Sequence, residues 1–353
     1  MSNQKVCSLC GNTSLSRVTS NSLFFPSYSE NEVLKDHENY FCSKCGLVAM
    51  MPQPTQQVLT EIYSSIYRDS SFAIIVSDDK TIDLPVQFPE SAYSFARFEN
   101  FVSCAPFLAE PLNEGSFVID LGGYQGMFLS AMREAYGIDG IVADFNVKGI
   151  KFASEALGFT KSVVIDDVLN VSAAKKADMV TMVHSFEHMA NPQEVLENIR
   201  SNLLKDNGYV YIEVPNLYGS PLNDPTHLFT FSMESLSYML NLSGFDVLQI
   251  FTNAIKDAPV GLGNNEVVIC CLAKKLGSKP DTLKLPEVKS MSAINSSYRR
   301  HSRMAIKQQI NLTFRHLFKV MYYIGVELIV SRLPGGLSDK MKWLKSKIKF
   351  RVH

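Results

Sequence analysis

Residues 118–129 read VIDLGGYQGMFL. An apolar run reaches an acid, Asp120, passes through a turn holding Gly122, Gly123 and Gly126, and resumes in residues that favour a helix. Such a strand–turn–helix unit is the opening of many doubly wound sheets. A turn without side chains lets a ligand lie against the backbone, and ligands of such sheets bind at the carboxyl ends of the strands near the topological switch point. The stretch therefore predicts both a fold and a place for a ligand.

Working outward, the alternation repeats. Short apolar runs follow at FVIDL, DGIVAD, VVID, MVTMVH, YVYIEV, DVLQIF and VVICCLA, with helical periodicity between most of them. Asn191-Pro192-Gln193-Glu194 reads as a helix start with Asn191 as cap, and Val195, Leu196, Ile199 and Leu203 then share a face. Ser232 is expected to cap a second helix with Leu236, Met239 and Leu240 inward and Gly244 at its end. Seven strands with about five helices predict an α/β fold, a doubly wound and mostly parallel sheet. Only the loop TNAIKDAPVGLGNNE separates the last two runs, so those strands are expected to pair as an antiparallel hairpin.

The chain has 353 residues, 46% hydrophobic and 20% charged, enough for two domains and a sizeable core. MSNQKVCSLC lacks the apolar stretch of a secretory signal and no apolar run approaches the ~20 residues of a membrane span, so a cytoplasmic setting is expected. In a reducing compartment close cysteine pairs point to metal before disulfide. Four of the seven cysteines form two C-x-x-C-G pairs, Cys7/Cys10 and Cys42/Cys45. Two such knuckles supply four thiolates, a closed tetrahedral site of structural type; zinc is the expected ion, and iron takes the same ligands. Cys104, Cys270 and Cys271 have no such spacing.

The net charge of −1 conceals an asymmetry. Residues 274–353 carry 18 Lys and Arg against 4 Asp and Glu, while the remainder carries 16 against 31. After a polar linker, INLTFRHLFKVMYYIGVELIVSRL reads as an apolar helix. In SDKMKWLKSKIKFRVH, Met341, Leu344 and Ile348 share a face among lysines, beside Trp343. This pattern predicts an anionic membrane surface or a partner protein as the tail's target; no recognisable RNA-binding module is present.

Asp144 ends the second strand, 22 residues beyond Gly122, where an acid that binds ribose hydroxyls is expected. NAD and S-adenosylmethionine both place an adenosine at such a turn, but the NAD fingerprint is G-x-G-x-x-G and this chain has G-G-Y-Q-G. Residues 116–273 resemble class I S-adenosylmethionine-dependent methyltransferases. VIDLGGYQGMFL stands where that family has D/E-x-G-x-G-x-G, with Tyr124 at the middle glycine. HSFEHMANPQEVLENIRSNLLKDNGYVYIEVPN resembles the block spanning the fourth and fifth strands. DPTHLFTFSMESLSYMLNLSGFDV and YFCSKCGLVAMMPQPT are similar to members with a cysteine knuckle in front, among them methyltransferases of deoxysugars and surface glycans. Sugar C-methyltransferases of this kind carry a long C-terminal α/β domain, where this chain has its basic segment.

The resemblance implies S-adenosylmethionine as cofactor. Asp120, Gly122, Gly123, Tyr124 and Gly126 would hold its methionine end, Asp144 its ribose, and Asp167, with Asp166 as second choice, its adenine; His184 and Ser185 would border it. His227, after the fifth strand, is the first candidate for the base that activates an acceptor, and Glu187 and His188 are the second. Tyr218 and Asp224 lie on the same loop. The expected organisation is a knuckle domain (1–55), a helical connector or lid (56–115), a methyltransferase domain (116–273) and the linker with basic tail (274–353). The expected acceptor is a sugar, as a nucleotide sugar or nascent glycan, methylated on oxygen or carbon. Rival readings are a small secondary metabolite or lipid-linked acceptor, and a non-catalytic adaptor that keeps the fold.

Overall fold

The computed structural model describes residues 5–18, 34–55, 57–59, 89–219, 226–256, 265–280, 283–290, 292 and 296. The tail expected to be helical, Asp224 and most of the 56–88 stretch lie outside the described residues, as does the expected amphipathic face with Trp343. Among the described residues no helix is long and apolar enough to cross a membrane.

The N-terminal segment forms an antiparallel meander of β1 (Leu15–Arg17), β2 (Glu38–Cys42) and β3 (Val48–Met51). Each C-x-x-C knuckle closes in the same way: Gly11 N–H donates to Cys7 O and Gly46 N–H to Cys42 O, both at 2.9 Å. Helix α1 (Pro89–Cys104) follows and packs on the larger sheet through aromatic rings. Phe101 meets Tyr211 edge-on at 5.2 Å, and Tyr211 stacks on Phe128 at 5.9 Å. Such ring pairs add roughly 0.5–1.5 kcal/mol each beyond area burial.

Then come β4 (Phe117–Leu121), α2 (Met127–Tyr136), β5 (Asp139–Asp144), α3 (Val147–Glu155), β6 (Val163–Val164) and β7 (Ala177–Val183). The chain continues through α4 (Pro192–Asn198), β8 (Leu204–Pro215), β9 (Phe229–Thr230), α5 (Met233–Leu242), β10 (Phe245–Lys256) and β11 (Asn265–Lys275). The seven-stranded sheet has the order β10-β11-β8-β7-β4-β5-β6. Strands β6, β5, β4, β7 and β8 are parallel, and β11 runs antiparallel to both β8 and β10. The doubly wound sheet and its terminal hairpin are thus as the runs predict. Strands covered on both faces need continuous apolar sequence, which is why FVIDL is buried at every position.

Two local readings change. Asn191 precedes α4 as expected, but its side chain makes no cap; its backbone (φ −123°, ψ 71°) departs from the extended geometry that aims a cap at the helix. The third run shrinks to two exposed residues, because β6 is the sheet edge and the chain leaves it at Ile165. A 3₁₀ turn at Val168–Asn170 follows. Ser232 caps α5 as read, accepting from Ser235 N–H, and Gly244 follows with φ 82°.

β9 does not join the large sheet. It adds to the meander beside β3, pairing Val48 with Thr230 and Ala49 with Phe229. One hydrophobic cluster runs from Cys7, Cys45 and Leu47 through Phe231 and Leu236 to Ile212 and Ile119. The knuckle and the large sheet share that core.

Candidate active site

The topological switch lies between β4 and β7, whose neighbours lead off in opposite directions. Gly122 opens the turn after β4 with φ 73°, and a Cβ there would stand 2.4 Å from Ser185 Cβ. Ser185, just past β7, donates its hydroxyl to Leu121 O at 2.7 Å, so the two strand ends are laced together. Gly123 sits over Asp120, whose Oδ2 would lie 2.3 Å from a Cβ. Tyr124 adopts φ 48°, the conformation a glycine would take, and its ring lies against Gly149 of α3. The residue that departs from the family's glycine therefore keeps the glycine's backbone, at a strain of roughly 1–2 kcal/mol. Gly126 ends the turn as the left-handed residue before α2.

The four acids occupy different roles in the frame. Asp120 is buried under the turn, its Oδ1 accepting from Thr181 Oγ1 at 2.7 Å. Burial pushes its carboxyl up to about 7, against the Thr181 hydrogen bond and helped by the charge of Asp144. Asp144 is also buried and shifted upward by that burial; it accepts Tyr124 N–H at 2.8 Å and Asn146 N–H at 2.7 Å. It thus clamps the glycine turn to the end of β5. A carboxylate has about four acceptor positions, so two remain for hydroxyls of a ligand. Asp167 caps the 3₁₀ turn through Leu169 N–H, and exposed Asp166 accepts from Asn170 and Asp167 N–H.

On the other side of the switch point, His184, Glu187, His188 and His227 come together. Oε1 of Glu187 is 3.8 Å from His184 Nδ1, 3.8 Å from His188 Nε2 and 3.9 Å from His227 Nε2. Glu187 is 1% exposed, and the imidazoles are 13–16% exposed at its rim. The His188 and His227 rings meet at 4.7 Å. Leu228 N–H donates to Glu187 O at 2.9 Å, which holds the loop after β8 against the turn after β7. His184 is a second non-glycine residue at positive φ, 52°. Such strain concentrates at functional sites.

Sequence reading missed what stands behind this cluster. Glu213 of β8 is fully buried, with Asn100 Nδ2 donating to it at 2.8 Å and His184 Nε2 at 3.4 Å from its Oε1. Burial raises its pKa, opposed by Arg97, 3.8 Å away, then by Asn100 and Tyr211. The available signal was a lone acid within the buried run YVYIEV, on the face it shares with Tyr209 and Tyr211. Tyr218 follows β8 and is half-buried, with its phenol pushed up to about 12 by that burial.

The four cysteines of the knuckles also converge. Cys7 Sγ is 3.6 Å from Cys45 Sγ, Cys10 Sγ is 3.5 Å from Cys42 Sγ, and all four sulfurs lie within 4.8 Å of one another. Four bonds of about 2.3 Å to one ion set sulfur–sulfur edges of about 3.8 Å. Asn12 Nδ2 donates to Cys42 Sγ at 3.5 Å. The donors Cys45 and Cys7 push the Cys42 thiol well down, while Cys7 and Cys45 are pushed up.

Residues 96–250, just under half the chain, match the family model described as a methyltransferase domain. No curated protein matches the chain in sequence. Among solved structures, a chain from the complex of the Haloferax volcanii Trm112 methyltransferase activator with a methyltransferase is 18% identical, over 53% of this chain and 97% of that one, with a TM-score of 0.39. An S-adenosylmethionine-dependent methyltransferase from Methanosarcina mazei is 16% identical, over 47% and 94%, with a TM-score of 0.39. Coclaurine N-methyltransferase, bound to N-methylheliamine and S-adenosylhomocysteine, is 14% identical, over 52% and 72%, with a TM-score of 0.39. The family match falls on the sheet whose glycine turn and strand-end acids have just been described: residues 96–250 form a methyltransferase domain, and the chain is an S-adenosylmethionine-dependent methyltransferase.

Proposed function

We propose that this enzyme methylates a sugar, carried as a nucleotide sugar or a nascent surface glycan, and that the histidines around Glu187 activate the acceptor. The observation that carries the reading is the convergence of three imidazoles on one buried carboxylate beside the glycine turn. The sugar rests on the resemblance of the knuckle and of the DPTHLF stretch to sugar methyltransferases.

The residues fit the cofactor. Asp120 Oδ2 is buried and makes no hydrogen bond among the described residues, so it offers an acceptor to an amino group arriving at the turn. Asp144 keeps two acceptor positions for ribose hydroxyls, and Gly122 and Gly123 leave the backbone bare. When bound, S-adenosylmethionine supplies an already activated methyl group. The protein has then to align the acceptor and relieve it of a proton. His227 is the residue assigned to this activation, with Glu187 and His188 orienting it. We further propose that the four-cysteine cluster holds a structural zinc ion, since four sulfurs leave no open position.

The test is calorimetric titration of the full chain with S-adenosylhomocysteine, followed by transfer of labelled methyl to a panel of nucleotide sugars and glycan extracts. Micromolar binding and label in a sugar are expected. Labelling of a non-sugar metabolite alone would replace the acceptor, and no binding at millimolar ligand would favour a non-catalytic adaptor.

A further inference from the structure

The Thr226 carbonyl lies 3.0 Å from Nδ1 of His188, with the Thr226 hydroxyl also at 3.0 Å. A carbonyl oxygen only accepts, so this contact favours the tautomer with the hydrogen on Nδ1, in which Nε2 offers its lone pair. Nε2 of His188 lies 3.8 Å from Glu187 Oε1. Nε2 of His227 stands 3.9 Å from the same oxygen. Two imidazoles and a carboxylate thus bring ligand atoms together, all within 4.8 Å of one another. Two imidazoles and one carboxylate at such separations are a donor set that suits a divalent cation.

We propose that Glu187, His188 and His227 form a divalent-cation site on the acceptor side of the cofactor turn. An ion about 2.1 Å from each ligand sets ligand–ligand edges of about 3.4 Å in a tetrahedron, against 3.8 Å and 3.9 Å for the two edges from Glu187 Oε1. The Thr226 carbonyl, 3.0 Å from Nδ1, would hold the His188 ring by its other nitrogen, as metal-bound imidazoles commonly require. His184 sits 3.8 Å from Glu187 and 3.4 Å from Glu213, tying the carboxylate to the buried frame. Two nitrogens and one oxygen suit Mn²⁺, Fe²⁺, Co²⁺ or Zn²⁺ better than Ca²⁺ or Mg²⁺, which prefer all-oxygen sites.

Three protein ligands leave positions open, which the four-sulfur cluster does not. An acceptor offering two adjacent oxygens, a vicinal diol or an enediol, would occupy them, and a hydroxyl bound to the ion is a stronger acid; with the ion held, His227 acts on the acceptor through the ion and not as its base. That consequence rests on the methyltransferase reading; the binding of the ion does not.

Titration of the full chain, with zinc in its cysteine cluster, by Mn²⁺ tests the site, reading free Mn²⁺ by electron paramagnetic resonance. Mn²⁺ is the probe because thiolates disfavour it, so the cysteine cluster does not compete. One Mn²⁺ per chain is expected. Glu187→Gln and His227→Gln should each weaken binding tenfold or more. His227 is at the rim, so its variant reports even where loss of the buried Glu187 disturbs folding; unchanged S-adenosylhomocysteine affinity verifies the fold. Stoichiometric binding that both variants leave intact would overturn the proposal, as would failure of both Mn²⁺ and Co²⁺ to bind. Mn²⁺ binding by protein that ignores S-adenosylhomocysteine would uphold the site while sinking the methyltransferase function.

Discussion

Cys7, Cys10, Cys42 and Cys45 are gathered by two short turns of one small sheet, whereas Glu187, His188 and His227 are gathered by the ends of distant strands. The first cluster uses four identical soft ligands and is closed. The second uses three mixed ligands and sits at a rim. A closed set can only hold the chain, while an open one can act on something else. The two are also linked. Cys42 ends β2, β2 pairs with β3, β3 pairs with β9, and Met50 N–H donates to Leu228 O at 2.9 Å, the residue after His227. The closed cluster thus braces the loop that the open one needs.

Breaking the closed cluster should have the largest effect. Structural zinc in small knuckles contributes on the order of 10 kcal/mol. Cys42→Ala is expected to lose the metal, melt the small sheet and, through β9, abolish methyl transfer although no cysteine touches the reaction. Elemental analysis, thermal unfolding and turnover check this together. A metal-free variant with wild-type melting temperature and turnover would show that the clusters are independent.

A second effect separates the two regions by pH. The Asp120 carboxyl is raised from 3.8 to about 7, chiefly by burial. A raised folded value means that the folded state holds the proton more tightly. Its stabilising contribution is full below about pH 4 and is lost as pH rises to about 7, some 4 kcal/mol in all. Asp120→Asn keeps an oxygen for Thr181 and avoids the buried charge. It should flatten stability over that window and raise it at pH 8, measured by denaturant unfolding. The sulfur cluster has the opposite sign, since acid protonates thiolates and releases their metal. An Asp120→Asn protein with the wild-type pH profile would assign the dependence elsewhere.

How far the sequence could be read follows the same division. Cysteine knuckles are local, four ligands within two short spacings, and were legible without a fold. The seven strands were legible because sheets covered on both faces demand continuous apolar runs. The Glu187 cluster was legible only by position, as an E-H after one strand and a histidine after the next; nothing in the spacing of His188 and His227 says that their rings meet at 4.7 Å. Glu213, Arg97 and Asn100 were missed because each is an unremarkable polar residue until three elements fold around it. The place of β9 in the small sheet was likewise invisible, since two residues carry no periodicity.

At the open cluster, His227→Ala should leave S-adenosylhomocysteine affinity unchanged and lower turnover about a hundredfold, close to 2.7 kcal/mol, the lower range for loss of acid–base or metal activation. Steady-state kinetics beside calorimetry separates the two quantities. Normal turnover in the variant would move activation to Glu187 or His188, and would leave the rim histidine as packing.

The smallest expected effect concerns the two kinds of turn. The knuckles place Gly11 and Gly46 at φ 70° and 76°, while the cofactor turn places Tyr124 at φ 48°. At a left-handed position a side chain costs roughly 1–2 kcal/mol, which Tyr124→Gly would recover. Against this, glycine adds roughly 0.5–1 kcal/mol of unfolded-state entropy and gives up the packing of the ring on Gly149. The net change in stability should lie within about 1 kcal/mol. Cofactor affinity should hold, because the backbone N–H that Tyr124 donates to Asp144 Oδ2 does not depend on its side chain. Tyr124→Val is the counterpart: a β-branched residue fits this conformation poorly, so both stability and affinity should fall. Calorimetry on the two variants decides. If Tyr124→Gly loses affinity as Tyr124→Val does, the ring itself belongs to the cofactor site and the turn is more than a bare backbone.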